Sequence, residues 1–598
     1  MRLSLHPVVF LLPLLLSRTH AESITPANVS RLKVAWTYDT GDSIEPVRPG
    51  GRPPKFETTP VYADGRLYLA TPMGSVIALD TETGREIWKI DLHIERHANY
   101  GDFVSRGLTL REQKLYVATV DARLVCLDRS DGQLCSGFGT RGEVDLTAGL
   151  RRKPQWPGEY GVTSPPALYR DLIIVGSTVA DNSRLNMATG EVRAFDANTG
   201  ALRWTFHPLP ADSPSGAANT WSRITVDEPH DLVFLPTGSA SPDYYGGLRP
   251  GDNRYADSIV ALKADTGKVV WSFQTVHHDL WDYDVASPPL LYLSKIGPAV
   301  AVGSKTGHIF LFNRLTGEPL FPIAERPAPL SDIPGEQASP TQPFPSRPPG
   351  LVPQALSEQD LWGSTPADLE ACRTMFRGLR NEGIFTPPSL RGSLIVPGNI
   401  GGLHWGGVVF DPVHRLLIAP VNRWPAVVRL IPRDQFNAEK KAHPERETTE
   451  QNGTPYSMSR QFFVAPSGSP CTKPPWGELV AVQADTGNIA WRVPLGDLRN
   501  AINGAWESQS GSPNLGGLIA TSNGLVFIGA TLDGYFRAFE TEQGREVWKA
   551  KLPTSARATP LLFTSAGGRQ MIAIAAGGHD SPLSKLDTKL VVFALGDK

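Results

Sequence analysis

Fifteen residues, Thr275 to Pro289 (TVHHDLWDYDVASPP), hold three acids, two histidines and a tryptophan. Carboxylates and imidazoles are the side chains that most often take and return protons in catalysis. Surface loops also collect acids. Trp281 and the Val-Ala-Ser-Pro-Pro that follows do not read as a solvated tip. A second segment, Gly176 to Glu191 (GSTVADNSRLNMATGE), carries Asp181-Asn182 between a strand and a turn. That pair reads either as an Asx turn or as hard oxygen ligands for Ca²⁺ or Mg²⁺. Of the four cysteines, Cys126 and Cys135 flank a hairpin turn. They can pair across it and leave Cys372 with Cys471, with other pairings open. No CxxCH occurs, so the chain carries no covalent c-type haem of its own.

The elements that must position these side chains come from a repeat: apolar–apolar–Asp–x–x–Thr–Gly–x–x–x–Trp. It reads ALDTETGREIW (78–88), AFDANTGALRW (194–204), ALKADTGKVVW (261–271), AVQADTGNIAW (481–491) and AFETEQGREVW (538–548). Worn copies are CLDRSDGQLC (126–135) and FLFNRLTGEPLF (310–321). Each reads as a β-hairpin with Gly at positive φ. Repetition every ~50–70 residues marks a propeller or solenoid, whose units bury their apolar faces only against neighbours. The shared Trp position (Trp88, Trp204, Trp271, Trp491, Trp548) reads as packing between units, not chemistry.

The sequence therefore predicts an all-β, eight-bladed propeller. Seven units are visible, and HWGGVVFDPVHRLLIAPVN (404–422) is expected to supply an eighth. The strand RLKVAWTYDTG (31–41) is expected to close the ring by pairing into the blade of KLVVFALG (589–596), which hides both edges. The Pro-rich stretch at about 319–360 is an ordered excursion or a flexible loop. Pro366 to Glu382 is the one good helix candidate.

Net charge is −2 without a long basic run, so nucleic acid is a poor partner. Residues 1–21 read as a secretory signal peptide cut after Ala21, followed by a single propeller domain over 22–598. The apolar run Val8 to Leu16, broken by Pro13, falls short of the ~20 residues that span a bilayer. No later segment is apolar for long enough. A periplasmic or secreted location follows, which permits disulfides.

Further blocks carry a resemblance. NTWSRITVDEPHDLVFLPTGSASPDYYGG, RYADSIVALKADTGKVVWSFQTVHHDLWDYD and GSKTGHIFLFNRLTGE resemble the pyrroloquinoline quinone (PQQ) dehydrogenases. The branch is that of membrane-type glucose dehydrogenases and quinate/shikimate dehydrogenases. The likeness runs from about residue 31 to 598, and HHDLWD and SKTG are its specific motifs. The resemblance implies an eight-bladed propeller. It makes Asp282 the general base that takes the substrate hydroxyl proton while hydride moves to the C5 carbonyl of PQQ. It puts Lys305 on the quinone oxygens and Trp221 under the cofactor ring. Glu57, Arg106, Thr163 and Thr178 would bind cofactor carboxylates and ring edge, with Asn422, Asp533 and His579 near the site. Asp181, Asn182, Ser241 and Asp282 would hold the metal, Ca²⁺ before Mg²⁺ or a lanthanide. A divalent cation there polarises a carbonyl as a Lewis acid.

This sequence departs from the pattern. DFVSRG (102–107) stands where the glucose branch has HxTCRG, so a His is replaced and Ser105 stands for Cys. The adjacent cysteines of alcohol-oxidising relatives are absent there. Those relatives also use a metal-ligating Asn where this chain has Ser241. Asp284 matches a position linked to lanthanide use, but the glucose branch has Asp there too. The bundle of membrane spans ahead of the propeller in glucose dehydrogenases is not read here. The expected activity is oxidation of a sugar or polyol hydroxyl, with ubiquinone or a separate cytochrome c as acceptor. The alternatives are an alcohol or quinate/shikimate dehydrogenase and, remotely, a non-catalytic propeller scaffold.

Overall fold

The computed structural model describes residues 22–499 and 509–596; the expected leader, 1–21, lies outside the described residues. Strands joined by tight turns build successive antiparallel sheets, most of four strands. Val61–Ala63, Arg66–Ala70, Ser75–Asp80 and Glu86–Asp91 form one such sheet in chain order. The repeat is its last two strands. Asp80 closes the turn by accepting hydrogen bonds from Thr83 N at 2.9 Å and Thr83 Oγ1 at 2.7 Å. Gly84 follows at φ +69°, which a side chain would resist.

The repeat tryptophans join one sheet to the next. Trp204 Nε1 donates to Ala264 O at 3.0 Å, Trp271 to Arg314 O at 3.0 Å and Trp491 to Thr541 O at 2.9 Å. Each indole lies on the following turn glycine. A Cβ on Gly267 would come within 2.6 Å of Trp204, and one on Gly544 within 2.5 Å of Trp491. Trp36 and Trp88 meet Gly84 and Gly132 in the same way. In the worn copy that ends at Phe321, this phenyl ring faces Gly487 instead. Packing between sheets therefore skips the long interval between these two residues.

Leu32–Asp39 pairs with Lys589–Leu595 from Leu32↔Leu595 to Asp39↔Lys589, as expected for the N-terminal strand. Cys126 is bonded to Cys135 and Cys372 to Cys471, each with Cα atoms 5.4 Å apart. The Pro-rich stretch is ordered, with Ile323–Pro327 paired to Thr341–Pro345.

Two expectations need correction. HWGGVVFDPVHRLLIAPVN does not make a unit of its own. Its strands, Val409–Asp411 and Leu416–Asn422, complete the sheet of Gly477–Gln483 and Ile489–Pro494, which is the AVQADTG repeat. The insertion 423–476 between its second and third strands disguised the pairing. The helix expected over Pro366 to Glu382 is Pro366–Gly378, capped by Thr365 Oγ1 accepting from Asp368 N. A second helix, Phe436–Ala442, lies within the insertion.

Antiparallel pairing fixes where function sits. In each sheet the turn between second and third strands, and the crossings to and from neighbouring sheets, fall at one end. Segments 176–191, 237–257, 275–289 and 304–308 are all of this kind. The insertion 423–476 leaves from the same end and carries three strands of a further sheet, Ala426–Pro432, Tyr456–Phe462 and Glu447–Thr449, to which the earlier strand Ser393–Ile395 adds the fourth.

Candidate active site

Asp282 lies mid-way along the crossing 275–289 and Lys305 sits in the turn after Gly297–Gly303. Lys305 Nζ lies 2.5 Å from Asp282 Oδ1 and 2.7 Å from Asp284 Oδ2. Trp221 Nε1 donates to Asp284 Oδ2 at 3.3 Å. Ser239 N donates to Asp284 Oδ1 at 2.8 Å. Asp282 has φ +63° and Asn182 φ +61°. Non-glycine residues held there carry a conformational cost that concentrates at functional sites.

Across Trp221 lies a cationic wall. The Arg106 guanidinium is 5.4 Å from the Trp221 ring and 4.9 Å from the Trp405 ring. Its Nη1 donates to Thr163 Oγ1 at 2.8 Å, and its Nε lies 2.9 Å from Glu57 Oε2. Arg557 Nε lies 2.6 Å from the other Glu57 oxygen. Thr178 sits beside this wall, paired in register with Gly161. Burial pushes the Asp102 carboxyl up, but Lys55 and Arg106 more than offset this and hold it low. Lys55 itself is pushed down by burial and by Arg557.

The acids beside Lys305 respond in the opposite direction. Burial, then the Asp284 charge, push Asp181 up to about 6. Asp181 is exposed to solvent, so water screens part of this push. Burial raises Asp243 well above the usual range, helped by Asp181 and Asp282. Burial also raises Asp282, and Lys305 and Arg460 pull it back. Upward is the net direction, because burial, helped by Asp284 and Asp181, outweighs these two cations. Lys305 stays protonated, since its two carboxylate partners outweigh the cost of burying its charge.

Other expected residues divide. Asn182 Oδ1 accepts from Asp243 N at 3.1 Å. Ser241 donates its hydroxyl to Arg184 O at 2.8 Å, away from the acids. The hydroxyl among the acids is that of Ser239, 2.7 Å from Asp279, 3.0 Å from Asp257 and 3.2 Å from Asp284. Asn422 is fully buried and clamps Asn514, accepting from its N at 2.8 Å and donating to its O at 2.9 Å. His579 accepts from Ser555 Oγ at 2.5 Å and donates to Leu515 O at 3.0 Å. Burial and Arg557 push it down to about 3, so the ring is neutral. Asp533 is not brought to the site. Its carboxylate is taken by Arg537 and Thr531 and lines a separate cavity.

Sequence reasoning missed Arg460, Tyr244, Arg557 and Ser239. Arg460 Nη1 donates to Tyr244 OH at 2.6 Å and to Asp282 Oδ2 at 3.3 Å. Arg460 lies outside every quoted block, and Tyr244, within NTWSRITVDEPHDLVFLPTGSASPDYYGG, has no neighbour in sequence that marks its phenol for this role.

The residues fit PQQ. The group has three carboxylates and an ortho-quinone; Arg106 and Lys305 lie against the half-buried Trp221 indole, and Arg557 joins Arg106 on Glu57. Thr58, Ser177, Thr220 and Ser222, next in sequence to Glu57, Thr178 and Trp221, have buried hydroxyls without a hydrogen-bond partner. For a cation the donors are all oxygen, which suits a hard ion, and buried Asp243 Oδ1 has no partner. Among the described residues, no three acidic, His or Cys side chains are already drawn to ligand distance.

Residues 19–572 match the family model "PQQ: Glucose/ethanol/alcohol dehydrogenase, beta-propeller domain". The chain is 36 % identical to the quinoprotein glucose dehydrogenase of Escherichia coli, over 96 % of this chain and 77 % of that protein. It is 35 % identical to the quinate/shikimate dehydrogenase (quinone) of Acinetobacter baylyi, over 93 % and 74 %. It is 34 % identical to the glycerol dehydrogenase large subunit of Gluconobacter thailandicus, over 96 % and 83 %. Its fold is similar to the quinohemoprotein alcohol dehydrogenase of Comamonas testosteroni, with TM-score 0.68, 23 % identity and coverage of 97 % and 78 %.

Proposed function

The chain belongs to the PQQ glucose/ethanol/alcohol dehydrogenase β-propeller family, quinoprotein oxidoreductases of CH–OH donors, and from that premise we propose that it oxidises a hydroxyl of a sugar or polyol in the periplasm. The observation that carries the reading is Asp282, a carboxylate whose proton affinity burial raises and which Lys305 holds in place at 2.5 Å. A general base works best when its proton affinity lies near the working pH.

Bound PQQ supplies the acceptor for the substrate's two electrons, and the protein binds and orients. Arg106, Arg557, Lys55 and Thr163 would hold its carboxylates, Trp221 would support its ring and Lys305 would serve its quinone oxygens. Asp282 Oδ takes the hydroxyl proton. Asp181, Asn182 and Asp282, with a Ser241 or Ser239 oxygen, hold Ca²⁺; Mg²⁺ or a lanthanide is the alternative ion. The mature chain is one domain of eight blades over 22–598, released by cleavage after Ala21. It passes electrons to ubiquinone or a separate cytochrome c. No helix among the described residues is long and apolar enough to cross a membrane.

The test is reconstitution. Purified protein gains dye-linked activity toward polyols only when PQQ and Ca²⁺ are added together. Activity without PQQ, or none on any hydroxyl compound after PQQ has bound, removes the proposal.

A further inference from the structure

Glu447 and Arg460 stand directly opposite each other on neighbouring antiparallel strands of the insertion. Arg460 Nε and Nη2 donate to Glu447 Oε2 at 3.1 and 2.7 Å. Its Nη1 serves Tyr244 OH and Asp282 Oδ2. These contacts take four of the guanidinium's five N–H groups. One Nη2 hydrogen is left for a ligand. Glu447 Oε1 is 3.8 Å from Arg52, so it keeps lone pairs to offer. Arg460 and Glu447 also line a cavity of about 620 Å³ with Met375, Asn399, Phe462 and Pro466. Small-molecule sites run from about 300 to 1,000 Å³.

We propose that the Arg460–Glu447 pair is the specificity-determining wall of the substrate site, and that it selects a neutral polyol with a hydroxyl next to the one being oxidised. This rests on Asp282 as the base: one guanidinium joins Asp282 Oδ2 to Glu447, which puts the pair within reach of the carbon next to the one being oxidised. A neighbouring hydroxyl both donates and accepts. It takes the Arg460 N–H and gives its own proton to Glu447. A monohydric alcohol leaves both unanswered, and a site built for a hydroxyl rejects a substrate that lacks it. A hydroxy acid brings its carboxylate against Glu447, a like charge. Arg460 holds the Glu447 carboxyl low against the upward push of its enclosed position, so that charge is present at neutral pH.

The experiment compares kcat/KM for glycerol, a monohydric alcohol (1-propanol) and a hydroxy acid (glycerate) in PQQ- and Ca²⁺-loaded protein. Ratios cancel any general effect of Arg460 on Asp282. Arg460→Leu lowers the glycerol-to-propanol ratio at least tenfold, chiefly through KM, and Arg460→Lys restores part of it. Glu447→Gln raises the glycerate-to-glycerol ratio at least tenfold. PQQ binding, read by quenching of tryptophan fluorescence, establishes that the variants are folded and loaded. Ratios that stay within twofold of wild type in loaded variants overturn the inference and leave the dehydrogenase reading standing. Loaded wild-type protein without turnover on glycerol overturns the inference, and without turnover on any hydroxyl compound it overturns both.

Discussion

The ammonium of Lys305 lies 2.5 Å from Oδ1 of Asp282, 23 positions away in sequence. Strand pairing accounts for this. Leu290–Ser294 runs outward and Gly297–Gly303 returns, with Leu290 opposite Ala301. The loop before the first strand and the turn after the second therefore meet at one end. The same ammonium lies 2.7 Å from Asp284, so one cation holds two carboxylates apart and in place.

Asp282→Asn tests the base. The amide keeps the shape of the carboxylate but takes no proton. Turnover of the loaded enzyme falls by about 10²–10⁴-fold, the usual contribution of a general base. PQQ still binds, because Arg106, Arg557 and Trp221 are unchanged. Wild-type turnover in this variant removes Asp282 from the proton step.

Asp257 makes a pH prediction. Ser239 Oγ has one proton and three carboxyl neighbours. Asp284 is paired with Lys305, and Asp279 accepts backbone N–H groups from Asp282 and Tyr283. Asp257 is left as the carboxyl that keeps its proton. Burial, then Asp279 and Asp284, raise it well above its ordinary value. A raised folded-state value means its stabilising contribution is full below about pH 4, the unfolded carboxyl range. That contribution is lost as pH rises through the folded value. Asp257→Asn copies the protonated acid. Its Tm relative to wild type, in metal-free protein, is unchanged at pH 4 and climbs toward pH 8. A difference that stays flat with pH contradicts the assignment.

Trp204 tests the docking between sheets. It is 7 % exposed and closes on Gly267. Trp204→Ala costs about 3–5 kcal/mol in denaturant unfolding. Trp204→Phe keeps most of the packing and loses the bond to Ala264 O, about 1 kcal/mol. Equal losses in the two variants would mean that the hydrogen bond, not the ring, joins the sheets.

The Cys372–Cys471 bond ties the helix Pro366–Gly378 to the far end of the insertion, 99 residues away in sequence. Replacing both by Ala lowers unfolding stability by about 2–4 kcal/mol through the freed unfolded chain. Because the same insertion carries Arg460, KM for a polyol rises as well. Unaltered stability would show that the two segments pack fully without the link.

The repeat told the architecture without help, because each copy is a local unit. Asp80, Thr83 and Gly84 make one turn, and Trp88 reaches the next one at Gly132. The motif HHDLWDYD was likewise legible, since it breaks the repeat, whereas the lysine of SKTG was marked only by the family resemblance. What sequence could not supply was the partner across space. Arg460 lies 178 residues from the aspartate it contacts. It reaches it only because the insertion leaves its sheet at the end where Asp282 sits. Leu416–Asn422 was misassigned for the same reason, since its partner strand begins at Gly477. Nor does residue type separate Ser239 from Ser241. Both are buried serines, and only the direction of each hydroxyl, toward three carboxyls or toward Arg184 O, divides them. Sequence thus determined the turns and the chemistry-bearing loop, which depend on neighbours within a few residues. Tertiary structure alone decided which charges face each other, because that depends on where strands widely separated along the chain come back together.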